Sequence, residues 1–235
     1  MKKRGQVTLF IIIAVVIIAI VLLLYFFVLK TKNYSEIEMP SNVVSYLEAE
    51  VKLSSQRSII ASGLFGGIFP LENEYRLNNG TISYWYVYGE TFIPNNTKIQ
   101  DSINNFIEES LKQNILTSNL SFSGFETEIG EVKAETIINE DITIINVNFP
   151  IILKKGDQTS IAEKTFSNRF NIRLPHIFEI GKTVFRNYKE ENLHPLDAEN
   201  LELTIYYLNE TTVFMLEDSS SQFNEINYTL LFASQ

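Results

Sequence analysis

Val132-Lys133-Ala134-Glu135-Thr136-Ile137-Ile138-Asn139-Glu140-Asp141-Ile142-Thr143-Ile144-Ile145-Asn146-Val147-Asn148-Phe149-Pro150-Ile151 is the stretch whose reading sets the fold. Val132, Ala134, Thr136 and Ile138 alternate with polar neighbours, Asn139-Glu140-Asp141 supplies a turn, and Ile145, Val147, Phe149 and Ile151 resume the alternation. Successive side chains of a strand point to opposite faces, so this pattern predicts two antiparallel strands with one face in a core. Lys155-Gly156-Asp157 marks the next hairpin turn, and a third strand ends with Phe170, Ile172 and Leu174.

Working outward, Pro175 leads into a helix with Ile177, Ile180, Val184 and Tyr188 at helical spacing, followed by strands over 201–208, 211–216 and 226–233. Toward the N-terminus, Thr81 to Tyr88 reads as a strand with Tyr84, Tyr86 and Tyr88 on one face and Trp85 and Val87 on the other. The tyrosines form a candidate binding surface. A helix over 97–113 buries Ile99, Ile103, Phe106, Ile107 and Leu111, with Thr97 and Gln100 as a capping box. An earlier helix over 42–61 has Ser41 as cap and Gly63 as stop, with Val43, Val44, Leu47, Val51 and Ile59 on its apolar side. Strands that adjoin strands through short turns predict an antiparallel α+β fold with about three helices.

The other decisive stretch lies at the N-terminus. Lys2, Lys3 and Arg4 precede an apolar run from Leu9 to Leu29 that holds no charge. At about 1.5 Å per helical residue the run spans about 31 Å, the thickness of a bilayer's hydrocarbon core. A membrane helix over 9–29 is therefore expected, and membrane is the first expected partner. The short basic tail, residues 1–8, favours the cytoplasm, so 41–235 is expected outside the cell membrane as one extracytoplasmic domain, with a subdivision near 120–130 or 187–200. Lys30-Thr31-Lys32 offers no small-residue cleavage site after the run.

Arg4-Gly5-Gln6-Val7, a basic residue and a glycine set before a long apolar stretch, resembles the class III signal peptide of archaeal type IV pilins and related surface proteins. The resemblance implies cleavage after Gly5 by a prepilin-type peptidase, leaving Gln6 as the new N-terminus. The longer start from Gly5 to Ile13 is also similar to uncharacterised single-span surface proteins of small-genome archaea, a likeness that implies no activity. A pilin's apolar segment continues as a long helix into its head, whereas Asn33, Ser35 and Pro40 interrupt it here. Residues 30–40 therefore read as a stalk.

Charge narrows the partners. The chain carries a net −9, and setting aside the five basic residues of 1–32 leaves about −14 on the remainder. Phosphate backbones would repel it, so no nucleic acid is expected, and partners are sought among envelope proteins and glycans. The absence of cysteine excludes disulfides and thiolate chemistry. Sequons occur at Asn33, Asn79, Asn95, Asn119, Asn209 and Asn227, with Asn79 and Asn209 in turn-like settings.

Catalytic motifs are missing. Gly181-Lys182-Thr183 lacks the earlier glycine of a phosphate loop, since His176 occupies that place, and it falls in a predicted helix. His176 and His194 read as boundary residues. Glu108-Glu109, Glu190-Glu191 and Glu217-Asp218 are adjacent acids without reason to converge, and Glu217 to Ser221 reads as a solvated loop. No cofactor, metal site or catalytic residue is assigned. The expectation is a non-enzymatic surface protein for attachment, envelope assembly or recognition. Its alternatives are a pilin-like filament subunit and a membrane-tethered hydrolase of envelope polymers.

Overall fold

The computed structural model describes residues 41–71, 73–77, 80–117, 126–155, 158–190 and 200–235. The basic tail, the apolar run, the stalk, Asn79, Asn119 and His194 lie outside the described residues. Among those described, three helices and ten strands form an α+β fold with antiparallel-rich sheets. The helices are α1 (Ser41–Leu64), α2 (Asn96–Thr117) and α3 (Leu174–Lys189). None of them is long and apolar enough to cross a membrane.

The smaller sheet grows from the period-two stretch. β6 (Thr143–Lys155) is its central strand, with β7 (Gln158–Phe170) along one side and β4 (Glu126–Ile129) and β5 (Lys133–Ile138) end to end along the other. Ile145, Val147, Phe149 and Ile151 are buried as the alternation predicts. Pro150 is tolerated in this central strand because its carbonyl accepts the Gly130 N–H at 2.9 Å. Its absent N–H would face that same side, in the gap between β4 and β5, so no rung to β7 is lost.

The larger sheet runs β1 (Glu74–Leu77), β2 (Gly80–Val87), β10 (Ile226–Ser234), β9 (Thr211–Phe223), β8 (Leu201–Leu208), with the short β3 (Glu90–Thr91) beside β2. Every pair is antiparallel except β2 with β10. One buried cluster joins the two sheets. It takes Val43, Leu47, Val51 and Ile59 from α1, Ile99, Ile103 and Ile107 from α2, Phe178 from α3, Phe149 from β6 and Trp85, Phe214 and Phe232 from the larger sheet. Trp85 stacks on Phe232 at 3.9 Å between centroids, and Phe232 on Phe214 at 4.8 Å. The Trp85 indole N–H donates to the Gly66 carbonyl at 3.0 Å, which satisfies the one polar atom in that stack.

Three differences from the sequence reading have local causes. In α1 the buried face is completed by Ser54, Ser55, Ser58 and Ser62, so it is less apolar than a packed helix usually is. Ser58 and Ser62 hydroxyls donate to the carbonyls of Ser55 and Ile59 at 2.8 Å, which offsets the desolvation of those two side chains, whereas Ser55 Oγ is buried with no partner among the described residues. The cap of α2 is Asn95, whose Oδ1 accepts the Lys98 N–H at 2.8 Å, and not Thr97. Gln100, freed from the capping box, donates to the Thr136 carbonyl at 3.0 Å. Finally, the third strand stops at Phe170, while Ile172 lies in the connection and Leu174 begins α3.

Candidate recognition surface

The tyrosines of β2 do not form one stripe. Ala233 of β10 pairs with Tyr84 and Ser234 with Tyr86, so β2 advances two residues where β10 advances one. Such a bulge at Trp85 reverses the alternation beyond it. Tyr84 consequently joins Ile82, Val213 and Ala233 on the outer face, away from the helices. Its hydroxyl lies 3.0 Å from Thr211 Oγ1 on β9. Because β10 lies between β2 and β9, the Tyr84 ring spans Ala233, whose methyl is small enough to sit beneath it.

Tyr86 turns instead to α3. Its ring meets Phe185 at 6.2 Å, and Lys189 Nζ stands 3.1 Å from the ring centroid. Tyr88 leaves the strand altogether. It lies in the β2–β3 turn with φ 53° and is 88% exposed. Of the three, Tyr88 alone offers its whole ring to solvent, and Tyr84 presents one side of its ring beside Tyr75, 5.5 Å away and edge-on.

The sequons separate in the same way. Asn95 is exposed but its Oδ1 holds the α2 cap. Asn209 is exposed in the β8–β9 turn with φ 51°. Asn227 is half-buried in β10, and its Oδ1 accepts from Gln222 Nε2 at 2.9 Å. Asn209 is thus the described sequon with the most open setting.

Glu217 to Ser221 is no solvated loop. It continues β9, and Asp218 and Ser221 are fully buried. Asn227 pairs with Gln222 and Tyr228 with Asp218, so Ser219, Ser220 and Ser221 form a wide bulge. Asp218 points inward by the same alternation that buries Phe214 and Leu216, toward Arg173, which lies between β7 and α3, and the bulge just after it brings Ser220 and Ser221 back to its carboxylate. Arg173 donates to Asp218 through Nη2 at 2.6 Å and Nε at 3.2 Å. Ser221 Oγ adds a bond at 2.7 Å, and the Ser220 N–H one at 3.0 Å. Burial pushes the Asp218 carboxyl up, but these donors and the guanidinium charge together outweigh it and hold the group below its ordinary value. The signal missed in the sequence was Arg173 itself, a lone cation before a helix.

Other sequence candidates resolve as structural. Gly181 packs against Trp85 and Leu230, while Lys182 Nζ bonds Glu179 at 2.7 Å, so Gly181-Lys182-Thr183 serves helix packing. His176 is half-buried in the first turn of α3. Glu108 and Glu109 diverge. Glu108 accepts the Ala134 N–H at 2.8 Å, whereas Glu109 accepts from Gln113 Nε2 at 2.9 Å. Among the described residues no three His, Asp or Glu side chains group as metal ligands. No protein-family model, no curated protein and no solved structure matches the chain. The fold itself therefore defines the class: an α+β protein with two antiparallel-rich sheets on a shared core.

Proposed function

We infer that the chain is a single-span membrane protein whose α+β domain lies outside the cell and serves attachment, envelope assembly or recognition. The observation that carries this reading is the uncharged run from Leu9 to Leu29 behind Lys2, Lys3 and Arg4. The acidic remainder and the open setting of Asn209 support an outer-face location for the domain. Tethering confines that domain to the membrane surface and raises its effective concentration toward neighbours in the same envelope.

A pilin-like subunit is the second reading, carried by Arg4-Gly5-Gln6. Both are tested by the mass and N-terminal residue of the chain recovered from its native membrane, together with protease digestion of intact cells. Surface digestion of the domain with an N-terminus at Met1 supports the plain anchor. A start at Gln6 supports processing, and protection of the domain in intact cells defeats the outward orientation.

A further inference from the structure

The sheet edges of this protein are treated unequally. The open side of β5 is covered by α2: Glu108 takes the Ala134 N–H, Gln100 reaches the Thr136 carbonyl, and Asn104 Oδ1 accepts the Thr136 hydroxyl at 2.7 Å. β7 carries Lys164 and Arg169, and β1 is only four residues long with Arg76 paired to Glu74. Helical cover, charge and shortness are the usual protections against unwanted strand pairing.

β8 is not short, no helix covers its edge among the described residues, and its one charged side chain is the acidic Glu202. It is eight residues long, pairs with β9 without a register break, and contains no lysine, arginine or proline. Tyr207 is 68% exposed, and Tyr206 and Leu208 are also exposed. The Ser219 N–H donates to the Asn200 carbonyl at 2.9 Å. That rung makes the even-numbered positions the ones bonded to β9, and turns the backbone N–H and carbonyl groups of Leu203, Ile205 and Tyr207 toward the open side.

Charge identifies what fits there. Glu202 stands directly opposite Glu217. Like charges in that position repel, and neither has a basic partner among the described residues. A second copy of the chain would bring the same acids, and net negative charge, to the edge.

We propose that β8 is a strand-addition edge that takes an extended segment of a partner protein carrying a lysine or arginine beside Glu202. The backbone groups of Leu203, Ile205 and Tyr207 supply the ladder, and the basic residue relieves the Glu202–Glu217 repulsion. This deepens the recognition reading and rests on it only for where the partner is met. Peptide binding is measured on the solubilised chain, so it can fail while the anchor stands, or stand while the anchor fails.

The test uses the full chain in mild detergent and three labelled peptides of alternating Thr and Val, carrying two Lys, two Glu or no charge. The Lys peptide should bind about tenfold tighter than the Glu peptide. It should also slow amide exchange at Leu203, Ile205 and Tyr207. Glu202→Lys should reverse the peptide preference, and Tyr207→Pro should abolish binding while the Trp85 emission stays that of a buried indole. Equal binding of all peptides, or none, overturns the proposal. So does protection of the three amides without peptide, whether independent of protein concentration, meaning the chain covers its own edge, or rising with it, meaning a second copy does.

Discussion

Arg173 and Asp218 join the two sheets: the guanidinium at the exit of β7 makes two hydrogen bonds to a carboxylate on β9 that is fully buried. The pair fixes how the chain turns from one sheet into the helix that packs on the other. Arg173→Met should destabilise the protein by about 3 kcal/mol in urea unfolding, because it leaves a buried carboxylate without its cation. The double variant with Asp218→Leu should recover part of that loss. Full additivity of the two single changes would mean that the pair is not coupled.

The same carboxylate sets an acid limit. Its folded value is lowered from the ordinary 3.8, so the stabilisation is fully present above the unfolded value. It is lost as pH falls through the lowered folded value. Unfolding free energy should therefore drop below about pH 4, and Asp218→Asn should flatten that part of the profile. Profiles of equal slope would remove Asp218 from the account.

Tyr84 and Ala233 make a lock and its seat on the outer face. Tyr84→Phe loses one hydroxyl contact to Thr211 and should cost about 1 kcal/mol. Ala233→Leu must displace the ring above it, and should cost about 2 kcal/mol. Thermal unfolding followed through the single tryptophan, Trp85, reports both.

Gly67 has φ 98°, and a Cβ there would stand 2.7 Å from Phe178 Cε1 and from Pro94 Cγ. Backbone strain and crowding act together, so Gly67→Ala should cost about 2 kcal/mol or more. Gly80, with no described residue's atoms within 4 Å of a Cβ placed there, is the control at which alanine should be tolerated.

Glu108 carries a helix's contribution to a sheet edge. Glu108→Ala should raise amide exchange at Ala134 and destabilise by about 1–2 kcal/mol, since one edge N–H loses its acceptor. Unchanged exchange at Ala134 would show that solvent replaces the carboxylate without cost.

Particular residues show where the sequence was readable. Ile145, Val147, Phe149 and Ile151 were legible as a buried face because one unbroken register keeps every second residue inside. The same logic misplaced Tyr86 and Tyr88, since it has no means of seeing the bulge at Trp85 that β10 imposes. Glu217 to Ser221 looked like a loop because its polarity is satisfied by Arg173, 45 positions from Asp218 in the chain. The capping box failed for a similar reason: Gln100 found a better acceptor in Thr136 of a strand not yet formed when α2 is considered alone. The open edge of β8 is invisible in sequence, because being last in a sheet is a property of topology.

β10 occupies the middle of the larger sheet, between β2 and β9, and the Tyr84–Thr211 contact that spans it joins positions 127 apart. During synthesis β2 leaves the ribosome long before its parallel neighbour exists, and β9 also waits with one side unfilled. Non-local pairing of this kind slows folding and leaves strands exposed to misassociation. The nascent protein should therefore depend on a chaperone until residues 226–234 slide into place. Loss of those residues would remove the sheet's centre and not merely its rim.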